Sequence, residues 1–136
     1  MKLLYIGDIM GPMGVETVSK VIPTLKKDYQ IDVIAAQAEN VTEGKGISTE
    51  DFTKLKQLGV DFFTGGNWSL FLPPMYPSLK DPNQPIIRPA NYPQGTAGLG
   101  YKYLKTNKGD ILFISLLGKI VGKDADTPLD NPLKTV

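Results

Sequence analysis

The 136-residue chain contains no cysteine and no histidine. Without cysteine there is no disulfide and no thiolate metal site, a usage that fits a reducing compartment and makes a cytoplasmic location the expectation. Without histidine the commonest metal ligand and neutral-pH proton carrier is missing, which limits any catalytic chemistry here. Long apolar runs are lacking too. No stretch approaches the ~20 residues that cross a bilayer, and the four-residue run before Gly7 is too short for a signal peptide. The expectation is a soluble protein with no membrane partner. Neither sign of charge dominates: 15 basic and 14 acidic residues give a net charge of +1, without the basic footprint of a nucleic-acid binder. Two phosphate-binding motifs are absent as well. Gly7, Gly11 and Gly14 do not have the spacing of a dinucleotide fingerprint, and Gly44-Lys45-Gly46 is not a P-loop.

What is present is a regular succession. Leu3-Leu4-Tyr5-Ile6 runs into Gly7-Asp8, Val33-Ile34-Ala35-Ala36 into Glu39-Asn40, and Phe62-Phe63-Thr64 into Gly65-Gly66-Asn67. Buried strands ending in carboxylates and amides, about thirty residues apart, indicate a βαβαβ unit. Right-handed crossovers bring the three strand ends to one edge of a parallel sheet, where open α/β folds bind ligands. Asp8, Glu39, Asn40 and Asn67 then converge as oxygen donors of the kind a hard cation wants. The structural alternative is a hydrogen-bonded turn network in which the two asparagines hold loops.

With 41% hydrophobic and 21% charged residues the composition is ordinary for a globular domain, and the length fits one domain. Strands are expected at residues 2–6, 32–38 and 60–64. A turn over residues 7–14 leads to a helix with Val15, Val18, Ile22 and Leu25 on one face, kinked or broken at Pro23. Ser48 and Asp51 resemble a capping box opening a second helix, with Phe52, Leu55 and Leu58 inward and Gly59 just past its end. Residues 72–93 carry Pro73, Pro74, Pro77, Pro82, Pro85, Pro89 and Pro93, which reads as a semi-rigid loop with a short edge strand at Ile86-Ile87. Residues 101–104 and 111–117 flank Asn107-Lys108-Gly109 as a hairpin, so the sheet is expected to turn partly antiparallel. Asp130 or Asn131 before Pro132 looks like a helix start with barely one turn after it, which implies a fold that continues further.

Two groups could serve a phosphate: the Gly44-Lys45-Gly46 loop, and Arg88 in the stiff Arg88-Pro89-Ala90-Asn91-Tyr92-Pro93 segment, unless Arg88 pairs with Asp61 or Asp81. Trp68 reads as a cover for the loop's apolar surface together with Phe71 and Leu72.

Ile6-Gly7-Asp8-Ile9, Ala38-Glu39-Asn40, Gly44-Lys45-Gly46, Gly66-Asn67 and the 88–93 segment stand in the order and spacing of the YmdB-like metallophosphoesterases. Gly95-Thr96-Ala97-Gly98 and the strand at 112–118 continue the match, so the chain resembles the amino-terminal half of that family over nearly all of its length. The resemblance implies a truncated calcineurin-like α/β sandwich, with residues 1–136 as one incomplete domain. It implies a phosphodiesterase acting on phosphodiesters or cyclic nucleotides with two divalent ions (Mn, Fe or Mg). Asp8 would bind one ion, Glu39 bridge both, Asn67 bind the second, and Asn40 support the site or contact phosphate; Arg88 is the other phosphate candidate. The family's histidine after the metal-binding asparagine is replaced by Trp68, which cannot shuttle a proton at neutral pH. The expectation is therefore an impaired enzyme, or a non-catalytic relative holding a nucleotide, metal or protein partner, with pairing to a second copy as a further possibility.

Overall fold

The computed structural model describes residues 1–118 and 129–135. Three parallel strands, β1 (Leu3–Ile6), β2 (Val33–Gln37) and β3 (Phe62–Thr64), form a sheet in the order β1-β2-β3. The register pairs Leu3 with Val33 and Ala35 with Phe62. Central β2 is buried along Val33-Ile34-Ala35-Ala36, as its unbroken apolar run requires. Ile86 adds a single parallel bridge beside Phe63, so the expected edge strand is reduced to one pairing.

Helix α1 (Gly11–Tyr29) begins earlier than the glycine-rich turn suggests, because Pro12 is pre-set for a first helical turn and has no N–H to satisfy. It is not broken at Pro23, one of the two outcomes expected there, but runs on to Tyr29. Pro23 lies on the exposed side, where water can serve the carbonyl it leaves unpaired, while Val15, Val18 and Ile22 hold the inner face. Helix α2 (Thr49–Gln57) has the expected cap: Asp51 N–H donates to Ser48 Oγ at 3.0 Å. Gly59 follows at φ +94, the left-handed geometry that ends the helix.

The proline-rich segment is not only loop. A 3₁₀ turn at Pro73–Met75 leads into α3 (Tyr76–Lys80). Prolines 73, 74 and 77 occupy first-turn positions that need no donor, and the fully buried Met75 and Leu79 anchor the segment.

Strands β4 (Tyr101–Thr106) and β5 (Gly109–Ile114) pair antiparallel from Tyr101–Ile114 to Thr106–Gly109. This hairpin is a separate two-stranded sheet; it does not extend the parallel one. Helices cover one face of the parallel sheet, where Ile34, Ala36 and Phe63 meet Val15, Ile22, Phe52 and Leu55. The hairpin covers the other, with Phe113 stacked on Phe62 at 4.2 Å. The result is an α/β sandwich with a parallel start and an antiparallel hairpin, the architecture expected from the sequence. A last turn, α4 (Pro132–Thr135), is capped by Asn131, whose Oδ1 accepts from Leu133 N–H. No helix among the described residues is long and apolar enough to cross a membrane.

Candidate metal centre

The loops that leave the three parallel strands are stapled to one another by backbone hydrogen bonds. Ile9 N–H donates to Gln37 O at 3.1 Å, Gly11 N–H to Asn40 O at 2.8 Å, and Ala38 N–H to Thr64 O at 3.1 Å. These bonds gather the strand ends into one rim.

Asp8 sits at φ +40, a left-handed conformation that aspartate tolerates better than most residues. From there its carboxylate reaches the next loop: Asn40 Nδ2 donates to Asp8 Oδ1 at 2.7 Å. That bond fixes the amide's orientation, because the reversed amide would set two acceptors against each other. Asn40 Oδ1 is thereby turned inward, buried and without a partner among the described residues.

Glu39 is only 5% exposed. Its Oε1 accepts from Gln37 Nε2 at 2.9 Å and its Oε2 from Trp68 N–H at 2.9 Å. Burial pushes its pKa up and the nearby Asp8 charge adds to that, against the lowering by the Trp68 and Gln37 bonds. A side chain at position 66 would overlap this carboxylate, so only glycine leaves room for it beneath the β3 loop.

Asn67 stands exposed on that loop, and no hydrogen bond among the described residues ties its side chain. Its backbone oxygen, like that of Gly66, accepts from the Tyr92 hydroxyl. Burial drives the Tyr92 phenol up to about 12, with Glu39 adding and Arg88 opposing. Trp68 meets Phe71 edge to face at 5.1 Å, as the covering role requires, and carries Lys45 Nζ 4.5 Å from its ring centroid.

Arg88 does not join the rim. It is buried, donates to Pro89 O at 2.6 Å and Thr96 O at 3.3 Å, and lies 5.9 Å from the Tyr92 ring. Neither expected carboxylate pairs with it: Asp61 accepts from Ile34 N–H, and Asp81 from Asn83 N–H. Its place is behind Tyr92, which in turn holds the Gly66-Asn67 turn.

The structure thus brings Asp8, Glu39 and Asn40 together, sets Asn67 on the adjoining loop, and puts Arg88 behind it. Sequence reasoning missed Gln37 and Tyr92. Gln37 could have been found as the polar residue two positions before Glu39 in an otherwise apolar strand.

Among the described residues no group of three or more His, Cys, Asp or Glu side chains could hold a metal ion. Two carboxylates and an orphaned buried amide oxygen are nonetheless a donor set of the right chemistry for one hard cation whose shell is completed by water. They are too few for a pair of ions.

A family model described as YmdB-like protein matches residues 4–136. A 2',3'-cyclic-nucleotide 2'-phosphodiesterase of Bacillus subtilis (strain 168) is 35% identical over 133 residues, 97% of this chain and 48% of that protein. A hypothetical protein from Thermus thermophilus superposes with a TM-score of 0.88 at 32% identity, covering 99% of this chain and 50% of that one. A phosphatase from Mycoplasma pneumoniae superposes with a TM-score of 0.89 at 30% identity, covering 98% of this chain and 48% of that one. The chain spans about half the length of these relatives.

Proposed function

The chain belongs to the YmdB-like protein family, and on that footing we propose that its strand-end rim is one wall of a metal-dependent phosphodiesterase centre. The substrate class is a phosphodiester or cyclic nucleotide, after the activity in the name of the Bacillus subtilis relative. The observation that carries this reading is the buried Asn40 Oδ1, which has no donor among the described residues and belongs to the side chain whose Nδ2 donates to the Asp8 carboxylate. A buried acceptor left unpaired costs about 1–3 kcal/mol, and a cation seated between these oxygens removes that cost.

Asp8, Glu39 and Asn40 would hold the ion, with Asn67 able to approach from the β3 loop; the second ion implied by the resemblance needs ligands from beyond this set. A bound divalent cation supplies Lewis acidity at the phosphoryl oxygen and makes water acidic enough to attack. The chain's own part is positional. Gln37 and the Trp68 N–H fix the Glu39 carboxylate, Asn40 fixes Asp8, and Gly66 leaves the space that Glu39 fills.

Proton transfer is the weak point, since Trp68 stands where the resemblance puts a histidine and the sequence has no histidine elsewhere. General acid–base help contributes about 10²–10⁴-fold to rate, so hydrolysis by this chain is expected to be slower than by its longer relatives by about that factor. The same feature favours a second reading, a non-catalytic module that binds a metal and a nucleotide without turnover.

Calorimetric titration with Mn²⁺ and hydrolysis of bis-p-nitrophenyl phosphate test both readings. Expected are Mn²⁺ binding that Asp8→Ala abolishes and turnover that is slow and Asp8-dependent. Binding without turnover selects the second reading. Absence of Mn²⁺ binding by the folded chain would overturn both, and turnover at the rate of the Bacillus relative would overturn the impairment.

A further inference from the structure

We infer that Lys45 is the phosphate-contacting cation of this rim, held on the face of Trp68 until an anion draws it across; this rests on the phosphodiesterase reading above. Lys45 belongs to a turn wedged among all three strand-end loops. Within it, Lys45 N–H donates to Thr42 O at 2.9 Å and Thr42 N–H to Gly46 O at 3.0 Å. Gly46 N–H also donates to Glu39 O, which joins the turn directly to the segment carrying Glu39 and Asn40. Gly44 at φ +85 faces the Met10 sulfur from the β1 loop. Gly46 at φ +78 lies so close to Leu72 that an added Cβ would stand 2.9 Å from its Cγ. Both positions thus demand glycine, and the lysine between them is projected from a fixed backbone.

The ammonium group has no carboxylate at ion-pair distance among the described residues, whose ion pairs involve only the amino terminus, Lys20 and Lys108 as cations. It rests on the indole 4.5 Å from the ring centroid, and the Trp68 backbone N–H donates to Glu39 Oε2. An exposed cation–π contact is weaker than a charge-assisted hydrogen bond to phosphate, so the side chain can leave the ring when an anion enters. Arg88, the other candidate, is buried and already donates to two backbone carbonyls. In this chain the tryptophan that displaces the imidazole therefore holds a permanent cation at the same corner of the site.

Trp68 is the sole tryptophan of the chain, which makes the proposal measurable. The Mn²⁺-loaded chain is titrated with inorganic phosphate, with affinity read by calorimetry and Lys45 displacement by Trp68 emission. The expected result is a saturable change in emission in the wild type. Lys45→Ala should weaken phosphate about tenfold or more, the scale of one lost charge-assisted contact. Mn²⁺ affinity should stay unchanged, and Lys45→Arg should restore most of the phosphate affinity. Equal phosphate affinity in wild type and Lys45→Ala overturns the role of Lys45 while leaving the metal reading in place. Loss of Mn²⁺ binding in Lys45→Ala would make Lys45 merely structural and overturns it too. A wild type that takes up neither Mn²⁺ nor phosphate overturns both the inference and the reading it rests on.

Discussion

The two faces of the parallel sheet are closed to very different degrees. On the helix face, Ile34, Ala36 and Phe63 are fully buried against α1 and α2, and every strand is covered. On the hairpin face, Ala35, Phe62 and Ile87 meet Phe113, with Leu104 and Ile111 only partly buried, while Leu3 and Tyr5 of β1 remain 45% and 49% exposed. The hairpin's outer side leaves Tyr101, Tyr103, Leu112 and Ile114 exposed as well. Helix-face packing comes from the βαβ units themselves, whereas hairpin-face packing joins residues some fifty positions apart, such as Phe62 and Phe113. The candidate site lies at the rim between the faces. Gln37, two positions on from Ala35 along β2, holds Glu39 from the open face.

The comparison is tested most severely at its strong side. Phe63→Ala deletes a ring fully buried in the helix-face core, at 4.8 Å and edge to face with Phe52. It should cost about 3–5 kcal/mol in urea denaturation, enough to unfold a marginal domain. Phe113→Ala on the open side should cost less, about 1–3 kcal/mol, because fewer buried groups surround the ring. Equal costs would contradict the asymmetry. Tyr92→Phe removes a hydroxyl that donates to both Gly66 O and Asn67 O, and should cost about 1–3 kcal/mol. Because burial raises the Tyr92 pKa to about 12, the folded chain keeps this proton above the ordinary phenol value. Its contribution is complete below pH ~10 and fades as pH rises towards about 12. An ultraviolet titration should show a late-ionising phenol that is absent from Tyr92→Phe.

Glu39 gives a smaller effect with the same sign. Its raised pKa means that the folded, cation-free chain binds its proton more tightly than the unfolded chain does. That contribution is full below the ordinary carboxylate pKa and is lost as pH rises through the folded value. Thermal melts of the cation-free chain should show this dependence, and Glu39→Gln should flatten it. The smallest effect is expected at Leu112, exposed on the outer side of β5, where Leu112→Ser should change stability by no more than about 0.5 kcal/mol.

The same division decides what could be read from the sequence. Strands β1 to β3, the Ser48 cap, the inner faces of α1 and α2 and the hairpin all carry local patterns, and all are found. Helix α3 was hidden because Pro73, Pro74 and Pro77 look like loop residues when their first-turn positions are unknown. The persistence of α1 through Pro23 depends on which side faces solvent, and the separation of the hairpin into its own sheet depends on distant packing. The convergence of Asp8, Glu39 and Asn40 was legible because topology places strand ends together. The duties of Tyr92 and Arg88 were not, since they act through contacts with Gly66, Asn67 and Thr96 that no local pattern encodes.

A crystal of this chain grown with Mn²⁺ and examined by anomalous scattering tests the account most directly. It predicts a single strong peak bounded by Asp8, Glu39 and the inward Asn40 Oδ1, at direct oxygen-ligation distance from them. Well-ordered density with those three side chains bonded only to protein, and no peak among them, would contradict it.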